Sequence, residues 1–256
     1  MSEATNWSGR EEGEGRRGCL EIAARVARCA EKVGREGRVK LVAVSKHQDL
    51  SRILRARSQG CRDFGENYVQ ELLRKADVVE DANWHFIGTL QTNKVRRLLP
   101  KVSLIHTMDR VNLAREIDKR AAVSGRRIPC LIQVNIGKEK QKGGVVPEEA
   151  ISLALAVERF EWIDLRGLMT VPPLGPDAES SRPWFRRLRG LRDAMADALG
   201  RPLPELSMGM SADFEVAIEE GATLVRVGTA LFGPRARGVS GREAGGRGRV
   251  GGGHAG

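Results

Sequence analysis

The sequence predicts a single (β/α)₈ TIM barrel with an extra N-terminal helix. Three observations carry this expectation. Eight short apolar runs alternate with helix-period segments between residues 39 and 228, the rhythm of parallel strands joined by helical crossovers. Polar or glycine residues close nearly every run, and a closed barrel gathers its site on that C-terminal face. Aromatic residues make up only 4% of the chain, so the core must be built from Val, Leu, Ile and Ala, which suits a parallel sheet buried on both faces. An open doubly wound sheet is the competing architecture, but it would concentrate its site at one switch point.

The elements follow in order. Leu20, Ala23, Ala24, Ala27, Ala30 and Val33 recur at helical spacing and place the extra helix from about Arg17. Strands are expected over residues 39–45, 62–65, 84–88, 104–107, 130–135, 165–171, 205–208 and 224–228. Helices are expected between them over 50–59, 67–76, 94–99, 112–122, 147–157, 183–199 and 212–219. Pro147 and Pro183 stand at helix starts, and Gly60, Gly125, Gly200 and Gly221 at helix ends. The residues closing the runs include Lys46, Glu66-Asn67, Gln91-Thr92-Asn93, Asp109-Arg110, Asn135, Thr170, Ser207 and Gly228-Thr229.

The 256 residues therefore divide into a barrel over 16–233 and two ends expected to be disordered: 1–15, polar and Gly/Glu-rich, and 234–256, Gly/Arg-rich. The net charge is +10; five Arg and one Glu in 234–256 supply +4 of it. A basic surface attracts phosphates and nucleic acid. No basic helix with interleaved aromatics accompanies it, so a nucleic-acid partner is not expected. The four cysteines, at 19, 29, 61 and 130, form no C-x-x-C pair and suit reduced cytosolic thiols. No signal peptide or membrane span is read, and a cytoplasmic protein without a membrane partner is expected.

Several familiar motifs are excluded. The G-x-G-x-x-G matches at Gly13…Gly18 and Gly246…Gly251 follow no strand. There is no phosphate-binding G-x-x-x-x-G-K-[ST] loop and no G-x-S-x-G elbow. The histidines, at 47, 85, 106 and 254, lack metal-ligand spacing.

Three segments carry chemistry. Lys46 ends the run Leu41-Val42-Ala43-Val44-Ser45. A lysine there is ordinarily just the first solvated residue after a strand. In a barrel mouth, desolvation would disfavour its ammonium and leave an amine able to condense with an aldehyde. Ser207-Met208-Gly209-Met210-Ser211 joins a strand to a helix and can offer N–H groups to a phosphate. Alone it reads equally well as a plain loop with a Ser/Asp cap. Val225-Arg226-Val227-Gly228-Thr229 puts an arginine inside a strand, where it needs an acceptor. These two segments fall after strands seven and eight, where such barrels often hold phosphate.

With those residues in view, the chain resembles the pyridoxal phosphate homeostasis protein family, similar in turn to the barrel domain of alanine racemase. The matching segments are LVAVSKHQ (41–48), DFGENYVQE (63–71), WHFIGTLQTNK (84–94), IHTMDR (105–110), LIQVNIGKEKQKGG (131–144), LRGLMTVPP (165–173), LSMGMSADFEVAIEEG (206–221) and VRVGTALFG (225–233). The resemblance implies that Lys46 carries pyridoxal 5′-phosphate as a Schiff base. It implies that Ser207, Met208, Ser211, Gly228 and Thr229 hold the phosphate and that Arg226 faces the pyridine nitrogen. Asn67 and His85 would line the cofactor. The basic NIGKEKQKGG stretch and Ala212-Asp213-Phe214 depart from the family pattern; neither touches Lys46 or Arg226.

An arginine at the pyridine nitrogen cannot give up its proton, so the ring stays a weak electron sink. Alanine racemase draws its tyrosine base from a second domain, and this chain has one tyrosine, Tyr68. The expected function is a monomeric cofactor reservoir that supplies apo-enzymes and has no dedicated catalysis. The alternative is a racemase of low activity using Lys46 with His85 or Tyr68.

Overall fold

A computed structural model describes residues 8–233, with side chains from Gly18 onward. The tail 234–256 lies outside the described residues. The chain begins with helix α1 (Ser8–Lys32). It then alternates β1 (Lys40–Val44), α2 (Leu50–Ser58), β2 (Asp63–Glu66), α3 (Val69–Ala76), β3 (Asn83–Phe86), α4 (Val95–Leu98), β4 (Leu104–Met108), α5 (Val111–Ser124), β5 (Ile128–Gln133), α6 (Pro147–Val157), β6 (Ile163–Met169), α7 (Arg182–Leu199), β7 (Glu205–Ser207), α8 (Phe214–Glu219), β8 (Leu224–Val227) and α9 (Thr229–Phe232). The eight strands pair in sequence order, all parallel, and β8 returns to β1 to close the barrel.

All eight expected strands are present, shifted by one or two residues at their ends. Pro147 and Pro183 fall in the first turns of α6 and α7. Gly125 and Gly200 cap α5 and α7 at φ 61° and 65°, a left-handed backbone that glycine adopts without cost. Two boundaries differ from the sequence reading. Helix α1 starts at Ser8, not near Arg17, so part of the end expected to be disordered is helical. Glu and Arg are good helix formers, and the segment continues an amphipathic helix already nucleated. The Gly13…Gly18 match consequently lies inside a helix. The short α9 was not expected, because its four residues are too few for a periodicity to register.

Alternation along the strands divides the core. Ala43, Ile105, Cys130 and Leu168 face the helices in one large apolar layer. Val42, Leu104, Leu131, Met169 and Leu224 form a smaller cluster. Leu104 and His106 share a strand face two residues apart, as do Leu224 and Arg226. Polar groups therefore continue the face that the smaller cluster begins. Among the described residues, no helix is long and apolar enough to cross a membrane.

Candidate functional site

Lys46 lies two residues beyond the end of β1 and is half-buried. Helix α3 pins the backbone on both sides of it. Lys75 Nζ donates to the carbonyl of Ser45 at 2.7 Å, and the N–H of His47 donates to Glu71 Oε1 at 3.0 Å. His47 sits at φ 59°, a turn that redirects the chain just after Lys46. Lys75 also donates to Glu66 Oε1 at 2.7 Å, and the Ser45 hydroxyl donates to the same oxygen at 2.6 Å. Lys75 and Glu66 are both wholly buried. Burial pushes the Glu66 carboxyl up to about 7, against the pull of Lys75 and Ser45. Sequence reading missed Lys75 and Glu71. The available signal was a lysine three residues after Leu72 on the apolar face of α3.

Across the barrel, Arg226 is 4% exposed. Its Nη1 donates to Ser207 Oγ at 2.6 Å and its Nη2 to the Thr170 carbonyl at 2.7 Å. Burial lowers its pKa to about 10, with Asp213 favouring the cation through space. It therefore stays charged at neutral pH, and its hydrogen-bond partners are neutral oxygens. Among the described residues it has no carboxylate in ion-pair contact.

Ser207 opens a chain of bonds through the barrel. Its Oγ lies 2.8 Å from His106 Nδ1, His106 Nε2 lies 2.9 Å from His85 Nδ1, and His85 Nε2 lies 2.9 Å from Asp63 Oδ1. With both rings neutral, one proton arrangement satisfies every contact. An arginine only donates, so Ser207 accepts from Arg226 and gives its single proton to His106 Nδ1. Burial, with the nearby Arg226 cation, holds His106 well below the usual histidine range, so it is neutral. Its proton is then on Nε2 and goes to His85 Nδ1, which leaves His85 Nε2–H to donate to Asp63. Burial raises the Asp63 carboxyl, but the His85 bond with help from Lys40 and Asn83 outweighs it and keeps Asp63 a carboxylate. These tautomers are assigned from the network. Ser207→Ala is expected to leave His106 and Arg226 each short of a partner and to cost about 1–3 kcal/mol, read from urea unfolding; an unchanged midpoint would contradict the assignment.

The two loops predicted to hold an anion do meet. The Ala230 N–H donates to Ser211 Oγ at 3.5 Å, joining the β7–α8 loop to the start of α9. Asp213 shapes the first loop, accepting from the Met210 N–H at 2.7 Å and the Ser181 hydroxyl at 2.8 Å. Gly209 is at φ 90°, where a Cβ would stand 2.5 Å from that of Ala217. Gly228 packs on β1, its Cβ position 3.3 Å from Val44 Cβ. Thr229 is exposed and Ser211 half-buried. Met208 is wholly buried, its N–H donating to the Leu224 carbonyl at 3.1 Å. The Ser207 hydroxyl is committed inside the barrel.

Asn67 follows β2 and borders a cavity of about 400 Å³ with Tyr68, Thr89, Gln91 and Lys94. Its Oδ1 is buried with no hydrogen-bond partner among the described residues. Gly88 lets this loop close, because a Cβ there would lie 2.1 Å from the Asn67 carbonyl oxygen. Gly88→Ala is expected to displace the Asn67 loop and destabilise the fold by about 1–3 kcal/mol. A wild-type melting temperature would contradict it. Tyr68 is half-exposed with its ring 5.3 Å from that of His47.

A parallel barrel with an arginine and two small-residue loops at the strand ends defines a class, and residues 20–236 match the family model described as "Alanine racemase, N-terminal domain". Solved alanine racemase from Clostridium difficile shares the fold, with a TM-score of 0.70 at 15% identity, covering 85% of this chain and 58% of that one. Curated relatives are far more similar. A pyridoxal phosphate homeostasis protein of Aquifex aeolicus is 48% identical over 217 residues, 84% of this chain and 95% of that protein. One of Pseudomonas aeruginosa is 41% identical over 218 residues, 84% and 93% respectively. The chain belongs to the pyridoxal phosphate homeostasis protein family. PipY of Synechococcus elongatus, solved with PLP bound, superposes with a TM-score of 0.71 at 34% identity, covering 81% of this chain and all of that one.

Proposed function

We propose that this protein binds pyridoxal 5′-phosphate, joins it to Lys46 as a Schiff base, and maintains the cytoplasmic supply of the cofactor to apo-enzymes. The observation that carries this reading is the buried Arg226 cation, held by neutral acceptors beside two loops that meet at Ser211 and Ala230. Such a group suits an uncharged ring nitrogen with a phosphate nearby. The orphan Asn67 Oδ1 suits a ring substituent that donates a hydrogen bond.

Bound pyridoxal phosphate supplies an aldehyde for the amine and a ring that can withdraw electrons. The chain's own residues do the rest. Helix α3 fixes the backbone around Lys46. Ser211, Gly228 and Thr229 stand where the phosphate would be received. Ser207 serves indirectly by orienting Arg226, and Met208 by backing the loop from the core. His85 acts through His106, since both its ring nitrogens are engaged. The unit that does this is the barrel, residues 16–233, working as a monomer.

The reading assigns no dedicated catalysis. Arg226 remains a cation, so it withholds the proton that would strengthen the ring as an electron sink. An absorbance spectrum before and after borohydride, with the modified peptide mapped, tests the proposal. A reduced adduct on Lys46 is expected; an adduct on another lysine would overturn it. The racemase reading has Tyr68 beside His47 in its favour. Sustained solvent deuterium exchange at Cα of alanine would establish it, and none is expected.

A further inference from the structure

Cys19 on α1 and Cys61 just before β2 bring their sulfurs to 3.0 Å across 42 residues of chain. Both are buried, at 2% and 9% exposure. A disulfide spans about 2.05 Å, so the pair stands about 1 Å from bonding distance. The other two thiols are placed differently: Cys29 donates to the Glu215 carbonyl, and Cys130 lies within β5.

We propose that Cys19 and Cys61 form a reversible disulfide that clasps α1 to the barrel when the protein meets a hydroperoxide. The contact divides their roles. The bond from Cys61 lowers the Cys19 thiol against the effect of burial, and the same contact, with burial, raises Cys61. Cys19 is thus assigned as the attacking sulfur and Cys61 as the resolving one. The Cys19 sulfur attacks the peroxide, the O–O bond breaks, and the leaving alkoxide or hydroxide takes up a proton. Cys19 is left as a sulfenic acid. The Cys61 sulfur attacks it, the S–O bond breaks, and the departing hydroxide takes the Cys61 proton as water. Two thiols are oxidised by two electrons and one peroxide is reduced; an external thiol reverses the bond.

The bond would brace the site from outside. Helix α1 lies over α8 and α9, the helices that follow the two loops. Arg25 pairs with Glu215 at 3.1 Å and stacks 5.0 Å from the Phe214 ring. Arg35 donates to the Ile218 and Ala222 carbonyls, and a Cβ on Gly18 would sit 3.0 Å from the Leu231 carbonyl oxygen.

The test treats full-length protein with hydrogen peroxide, alkylates it with N-ethylmaleimide and digests it with trypsin. Cleavage leaves the four cysteines on separate peptides, 18–25, 29–32, 58–62 and 128–138. The expected product is 18–25 joined to 58–62, about 2 Da lighter than the two free peptides and lost with dithiothreitol. Oxidised protein should also melt at a higher temperature than reduced protein, and Cys61→Ser should remove that shift. Four alkylated thiols after peroxide, a link through Cys29 or Cys130, or the same shift in Cys61→Ser protein would each overturn the proposal.

Discussion

Lys46→Ala protein is expected to lack the imine absorbance of the wild type and to lose its cofactor on desalting. The reason lies in the division of labour around the barrel mouth. In the proposed reading, the Ser211, Gly228 and Thr229 loops and Arg226 would hold the ligand reversibly, through hydrogen bonds and charge. The proposed covalent bond from Lys46 would add an attachment that dilution alone does not break. The buried pair beneath Lys46 is made by Lys75, Glu66 and Ser45 and remains in the variant. Far-ultraviolet circular dichroism should therefore match the wild type. Lys46→Arg separates charge from chemistry. It keeps a cation at the position but cannot form the imine, and it should behave as Lys46→Ala does. An imine band surviving in either variant would place the aldehyde on a different amine and end the assignment.

Lys75→Met should be the most destabilising single substitution near the site, at about 3–5 kcal/mol. It removes the ammonium from a wholly buried carboxyl and unties the Ser45 carbonyl in the same step. Its pH dependence has a definite sign. The Glu66 carboxyl titrates at about 7 in the fold, above an unfolded value of about 4.3. The folded state keeps this proton after the unfolded chain has lost it. The stabilising contribution is complete below the unfolded value and disappears as pH rises toward about 7. Without Lys75 the carboxyl titrates higher still, so the window stretches upward. The variant should lie closer to the wild type near pH 5 than near pH 8. Urea midpoints at both values measure it. A loss independent of pH would mean that packing, not the carboxyl, sets the cost.

Much of this fold was legible because its signals are local. Strand runs such as 104–107 and helix starts such as Pro147 announce themselves within a few residues. Lys46 and Arg226 were legible as charges out of place in or beside apolar strands. The groups that govern them were not. His106 and Ser207 are separated by 101 residues yet lie 2.8 Å apart, and Lys75 reaches back 30 residues to Ser45. Such pairings arise only when the barrel closes, and no spacing rule encodes them. The start of α1 was misplaced for the opposite reason. A polar, glycine-containing stretch looks unable to order itself, but it extends a helix already held against the barrel by Ile22, Val26 and Ala30.

The chain of bonds from Arg226 to Asp63 has one consequence for the molecule as a whole. Every link donates in the same direction, so the lumen behaves as a column of aligned dipoles with fixed polarity. The bond dipoles point their positive ends toward the Asp63 carboxylate at the start of β2, and the Arg226 cation stands at the other end of the column. An electron-rich guest is therefore drawn by the Arg226 cation itself, which two buried imidazole rings link to Asp63.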